Sequence, residues 1–120
     1  MAASRSFTQL IVWQKAHQFV LAVYKLTSKF PQKEIFGLTA QFRKAAVSIS
    51  ANIAEGYKKK GKLDKARFFN IAEGSLEECK YYLILTEDLH YAKTGTESGL
   101  AVEVSKLLNA YSKKILSSDS

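Results

Sequence analysis

A chain of 120 residues with a formal charge of +7 is one domain in size, able to bury about two thirds of its unfolded surface without staples. Its 47 % apolar and 24 % charged content is ordinary for a globular protein, and no apolar run approaches the roughly 20 residues of a membrane span. The single cysteine, Cys79, excludes an intrachain disulfide, and the opening MAASRSFTQL lacks the apolar core of a signal peptide, so a cytoplasmic location is expected.

Breaks at Phe30-Pro31-Gln32, Lys60-Gly61-Lys62 and Thr94-Gly95-Thr96 divide the single domain, 1–120, into four helical segments near 10–29, 33–58, 63–91 and 97–116. The first carries Val12, Ala16, Phe19, Val20, Val23, Leu26 and Phe30 on one face, with Trp13 and Tyr24 at its edge. Leu21 stands alone among the polar residues opposite, a hint of another contact.

The second segment carries two apolar stripes. At 100° per residue Ile35, Leu38, Phe42, Ala45, Ala46, Ile49, Ile53 and Tyr57 share one arc. A second set, Phe36, Ala40, Val47, Ala51 and Ala54, repeats on nearly the opposite side, with Gln41, Lys44, Ser48, Asn52 and Glu55 between. A surface helix of a monomer needs one apolar face, so two faces predict burial twice. In a small protein the simplest second cover is another subunit; two neighbours from its own chain are the alternative.

The third segment uses Phe68, Phe69, Ala72, Ser75, Leu76, Cys79 and Leu83, with Ile71, Tyr81, Leu85 and Leu89 off that face. Cys79 therefore reads as a core thiol. The fourth repeats Leu100, Val104, Leu107, Leu108, Tyr111 and Ile115. No useful length alternates strictly, and short loops between long helices predict an all-α, antiparallel up-down-up-down four-helix bundle. Gly37, Gly56 and Gly74 interrupt helical patterns at about 1 kcal/mol each if interior. Gly56 suits a cap near its helix end, and a close helix–helix approach would account for Gly74.

Charge is uneven. Residues 1–67 hold 13 Lys and Arg against three acids, a local +10, and residues 68–120 hold five against eight, a local −3. The densest run, YKKKGKLDKAR at 57–67, sets Lys58, Lys59, Lys60, Lys62, Lys65 and Arg67 against Asp64 alone. Phosphate backbone is the commonest partner for such a run, through contacts that are salt-sensitive and indifferent to base identity. A solvated loop that keeps the chain soluble is the alternative. Signals for catalysis are weak. His17 and His90 lie on different segments without metal-ligand spacing, and Glu87 with His90 gives one isolated Glu-x-x-His. No enzyme activity, cofactor or metal is expected.

Specific elements resemble the proteins encoded in intervening sequences of bacterial 23S rRNA genes. They are Trp13-Gln14, Phe30-Pro31, Phe36-Gly37-Leu38-Thr39, Arg43, Asn52-Ile53-Ala54-Glu55-Gly56 and Gly74-Ser75-Leu76-Glu77, in the right order across the first three segments. The fourth segment matches only in kind. Lys65 departs from the pattern, since members often carry an aromatic before the Ala-Arg-Phe unit. The resemblance implies four-helix bundles assembled into homopentameric barrels, in accord with the second stripe. It also implies kinship with the basic accessory subunit of diversity-generating retroelements, which binds a reverse transcriptase and nucleic acid. The expectation is a non-enzymatic oligomer that binds RNA or a DNA–RNA hybrid, with no membrane partner. Its phosphate contacts would be Lys58, Lys59, Lys60, Lys62, Lys65 and Arg67, with Arg43 and Lys44 secondary. Arg43, between the two stripes, could instead bond across subunits. A scaffold docking an acidic protein or a reverse transcriptase is the alternative.

Overall fold

The apolar spacing of each segment becomes a helix in the computed structural model, which describes residues 5–117. The helices are α1 (Ile11–Thr27), α2 (Leu38–Lys58), α3 (Lys62–Asp88) and α4 (Gly95–Leu116), with single 3-10 turns at Phe7–Gln9 and Gln32–Glu34. There is no strand among the described residues. At 1.5 Å per residue the 27 residues of α3 span about 40 Å of a body 49 Å long. Each helix packs mainly on two others: α1 on α2 and α4, α3 on α2 and α4.

Between them lies one core of Phe19, Val23, Phe42, Ile49, Ile53, Phe69, Leu76, Cys79, Val104 and Leu108, all at most 2 % exposed. The α1 face and the first α2 stripe are buried as the spacing predicts, except for Ile35 and the half-buried Tyr57. In α3 the buried set also takes in Tyr82 and Thr86. Tyr82 donates to Glu78 and lies 3.2 Å from the Gln41 amide oxygen of α2, while Thr86 Oγ1 donates to the Tyr82 carbonyl at 2.7 Å. A polar seam, Ser48 Oγ to Ser75 Oγ at 2.9 Å, joins the same two helices.

The second helix starts later than the expected residue 33. Residues 32–34 form the 3-10 turn and Gly37 breaks the chain direction at φ −108°, ψ −115°, so α2 opens at Leu38. Glu34 supplies the missing cap: Oε1 accepts from the Leu38 amide at 3.1 Å and Oε2 from the Tyr91 hydroxyl at 2.6 Å. These bonds, the Tyr91 hydroxyl first, hold the Glu34 carboxyl below its ordinary value near 4.5. A Cβ on Gly37 would stand 2.9 Å from that Oε1, which is why glycine suits the position. Phe36 therefore belongs to the turn and not to a helical stripe.

At the far end of α3 the chain stops in a Schellman motif built on His90, whose φ of 61° is the only positive one on a non-glycine described residue. The His90 amide donates to Glu87 O at 2.9 Å and the Tyr91 amide to Thr86 O at 3.0 Å. Gly74 does not mark a close approach within the chain: a Cβ there would meet nothing within 4 Å. Gly56 does, since its Cβ would lie 3.0 Å from Phe68 Cβ and 3.4 Å from Lys65 O.

Candidate nucleic-acid interface

The tight passage of Gly56 under Phe68 brings the end of α2 and the start of α3 together, and residues 59–61 close the turn between them. Six cations follow from that geometry, but not six equal ones. Lys58, Lys60 and Lys62 are exposed. Lys59 Nζ sits 5.0 Å from the centre of the Phe68 ring, and Arg67 lies 5.3 Å from the same ring while its Nη2 bonds Asp64 at 3.1 Å.

Lys65 turns inward. Its ammonium donates to Tyr57 O at 2.6 Å and Gly56 O at 3.3 Å, capping the last carbonyls of α2 where a positive charge also meets the negative end of the helix dipole. Burial pushes its pKa below the ordinary value. At the position where the resemblance implies an aromatic, the lysine anchors the turn through hydrogen bonds.

The cluster gains one member from far along the chain: Lys114, in the last turn of α4, meets the α2–α3 turn across a hollow of about 460 Å³. Its lining takes in Lys60, Lys62 and Lys65, the half-buried Tyr57 and Tyr111, and Ile115, and among the described residues no carboxylate. Burial, and then the nearby Tyr57 phenol, raise the pKa of Tyr111.

Arg43 and Lys44 stand apart, some 14 residues up α2 from Lys58, or about 21 Å. Arg43 is also committed within its own chain. Nε donates to Thr27 Oγ1 at 2.8 Å and Nη2 to Tyr24 O at 3.3 Å, with the guanidinium 4.6 Å from the Tyr24 ring centre. It ties α2 to the end of α1. Lys44 is exposed.

The second α2 stripe is largely uncovered. Phe36 is 94 % exposed and Val47 41 %, and Ala40 and Ala51 are exposed as well. Leu21 and Tyr24 of α1, 57 % and 43 % exposed, add to the uncovered apolar surface beside Arg43. Ala54 differs: it is half-buried and lines a hollow with Phe7, Tyr57 and Lys58, because the segment before α1 folds back against α2.

The histidine and cysteine that the sequence singles out, His17 and Cys79, lie apart. His17 is exposed and stacks on Trp13 at 4.9 Å. Burial, with Glu78 adding to it, pushes the Cys79 thiol up to about 12, leaving it an inert core group. Among the described residues no three His, Cys, Asp or Glu side chains are grouped as metal ligands, and no helix is long and apolar enough to cross a membrane.

A four-helix bundle with one strongly basic end and an uncovered small-residue stripe is the class of protein that these features define. Residues 8–113 match the 23S rRNA-intervening sequence protein family, and the chain belongs to it. A crystal structure of a protein of unknown function from the S23 ribosomal protein family of Bacteroides thetaiotaomicron superposes with a TM-score of 0.74 at 25 % identity, covering 86 % of this chain and 99 % of that one. No curated protein matches the sequence.

Proposed function

We propose that the protein is a non-enzymatic, oligomeric bundle that binds nucleic acid, RNA or a DNA–RNA hybrid, through phosphate contacts at the α2–α3 turn. The observation that carries this reading is the gathering of Lys58, Lys59, Lys60, Lys62 and Lys114 at one end of the bundle, with Asp64 the one acid in the run 57–67. Such a surface neutralises a regular array of phosphates without reading bases. The proposed course of the chain is up-down-up-down. Three-residue and six-residue connections follow α2 and α3, and contacts Gln41–Tyr82, Ser48–Ser75 and Gly56–Phe68 run in opposite order along those two helices.

Assembly into a ring, pentameric as the resemblance implies, is part of the proposal and rests on the uncovered α2 residues Ala40, Val47 and Ala51, with Phe36 exposed in the turn before them. Small side chains there let a second backbone approach closely. A scaffold role, docking an acidic protein or a reverse transcriptase in the cytoplasm, draws on the same surfaces, and the fully exposed Phe36 favours it as a second reading.

Fluorescence anisotropy with labelled RNA, DNA and hybrid duplexes at two salt concentrations tests the first reading. Binding to all at low salt, weakened steeply by added salt, is expected. A protein that binds none of them at low salt refutes it and leaves the scaffold.

A further inference from the structure

Most of the cations at this end line a surface, but Lys60, Lys62, Lys65 and Lys114 converge on one concavity, and this needs more than a solvated backbone to account for it. The hollow of about 460 Å³ lies within the usual range for small-molecule sites and is far too small for a duplex. Among the described residues its charged lining is cationic, drawn from the turn, from α3 and from α4. Its other wall is Tyr57, Tyr111 and Ile115, with Tyr111 fixed from behind by Phe69 at 5.1 Å between ring centres.

We propose that this hollow receives the phosphorylated end of a nucleic-acid strand, the terminal phosphate among the lysines and its nucleoside against the tyrosines. This deepens the nucleic-acid reading and rests on it. An internal phosphodiester brings one negative charge, whereas a terminal phosphomonoester brings about −1.5 to −2 and three acceptor oxygens. Lys60 and Lys114, converging from the turn and from α4 on Lys65, match the second far better than the first. Lys65 is already oriented by the Tyr57 and Gly56 carbonyls, so part of the site is in place before a ligand arrives. An aromatic wall accepts the nucleoside without selecting a base, because every base has a flat face. Gly61, at the start of α3, lines the same hollow and offers no side-chain cap to the first amides of that helix. The positive end of α3 therefore adds to the field.

The test compares oligonucleotides of one sequence, about eight nucleotides long, carrying a 5′-phosphate, a 3′-phosphate or hydroxyls at both ends, by anisotropy at fixed salt. At least one phosphorylated end should bind five-fold or more tightly than the all-hydroxyl strand. Lys114→Gln, an exposed substitution, should cut that ratio to near one, the phosphorylated strand losing at least five-fold more than the all-hydroxyl strand, which loses only the few-fold expected of a single phosphate contact. Tyr111→Leu should reduce the same ratio, with thermal melting reporting that the bundle is intact. Equal binding of all three strands overturns the end-binding site and leaves the backbone reading standing. A preference that survives Lys114→Gln also overturns it. Absence of any binding overturns both readings.

Discussion

Replacing Lys58, Lys59, Lys60 and Lys62 together with glutamine should flatten the salt dependence of nucleic-acid binding, and the structure says how the effect divides. Each lysine that neutralises a duplex phosphate contributes about 0.9 to the slope of log affinity against log salt, so four contribute about 3.6. Between about 50 and 200 mM salt that slope corresponds to about a 150-fold loss of affinity, which the quadruple variant should escape. Single changes should not be equal. Lys58→Gln and Lys60→Gln remove exposed ammonium groups and should each lower the slope by about 0.9. Lys65→Gln should alter it less, since two of that ammonium's three donors are held by the Tyr57 and Gly56 carbonyls; its loss should appear mainly as about 1 kcal/mol of stability. Salt titrations by anisotropy, paired with urea melts, separate the two effects. A quadruple variant with the wild-type slope refutes the phosphate assignment, and a Lys65→Gln slope matching that of Lys60→Gln refutes the division.

Four further outcomes are expected. Leu76→Ala, at a residue 2 % exposed, should cost about 2–5 kcal/mol in urea melts, and Cys79 in the same layer should resist thiol reagents in the native protein. Gly56→Ala should destabilise by about 1–3 kcal/mol, because its Cβ forces α2 from α3, whereas Gly74→Ala faces open space and should stabilise the isolated bundle by up to about 1 kcal/mol. Glu34 has a depressed pKa, so its contribution is present above its ordinary value near 4.5 and is lost as pH falls through the lower folded value; Glu34→Gln should flatten the acid limb of a stability–pH curve. Val47→Glu should reduce the oligomer to smaller species in sedimentation with helix content kept, and a wild-type monomer would rule out the interface.

The parts of this fold that were legible are those governed by one local rule. The face Val12, Ala16, Phe19, Val20, Val23 repeats at helical spacing, and burial follows the repeat. The start of α2 was not legible, because Ile35 and Phe36 continue the apolar pattern up to Gly37 while Glu34, a side chain from outside the helix, decides where it begins. The lysine run 57–67 could be found by composition, but its internal differences could not. Whether a lysine binds a ligand or caps a helix depends on which carbonyls lie within reach, and Lys65 lies beside two of them. Lys114 is some 50 residues from the run and joins it only because α4 ends where α2 and α3 meet. Arg43 reads from the sequence as a secondary phosphate contact or a bond across subunits, and only the placing of Thr27 and the Tyr24 carbonyl beside it shows the bonds it makes within its own chain.

The two proposed surfaces share one helix, and that joins assembly to binding. Val47 and Ala51 lie on the face of α2 left uncovered by its own chain, and Lys58 ends the same helix two turns further on. Copies packed through that face around a common axis present their α2 ends at one side of the ring. In such a ring the lysine clusters of the subunits form one array, and binding at one subunit raises the effective concentration of phosphates at the next. Self-repulsion of the gathered lysines opposes such a ring, and a bound polyanion relieves it. The oligomer should therefore be more resistant to dissociation with nucleic acid bound than without, and Val47→Glu should weaken nucleic-acid affinity although it touches none of the lysines.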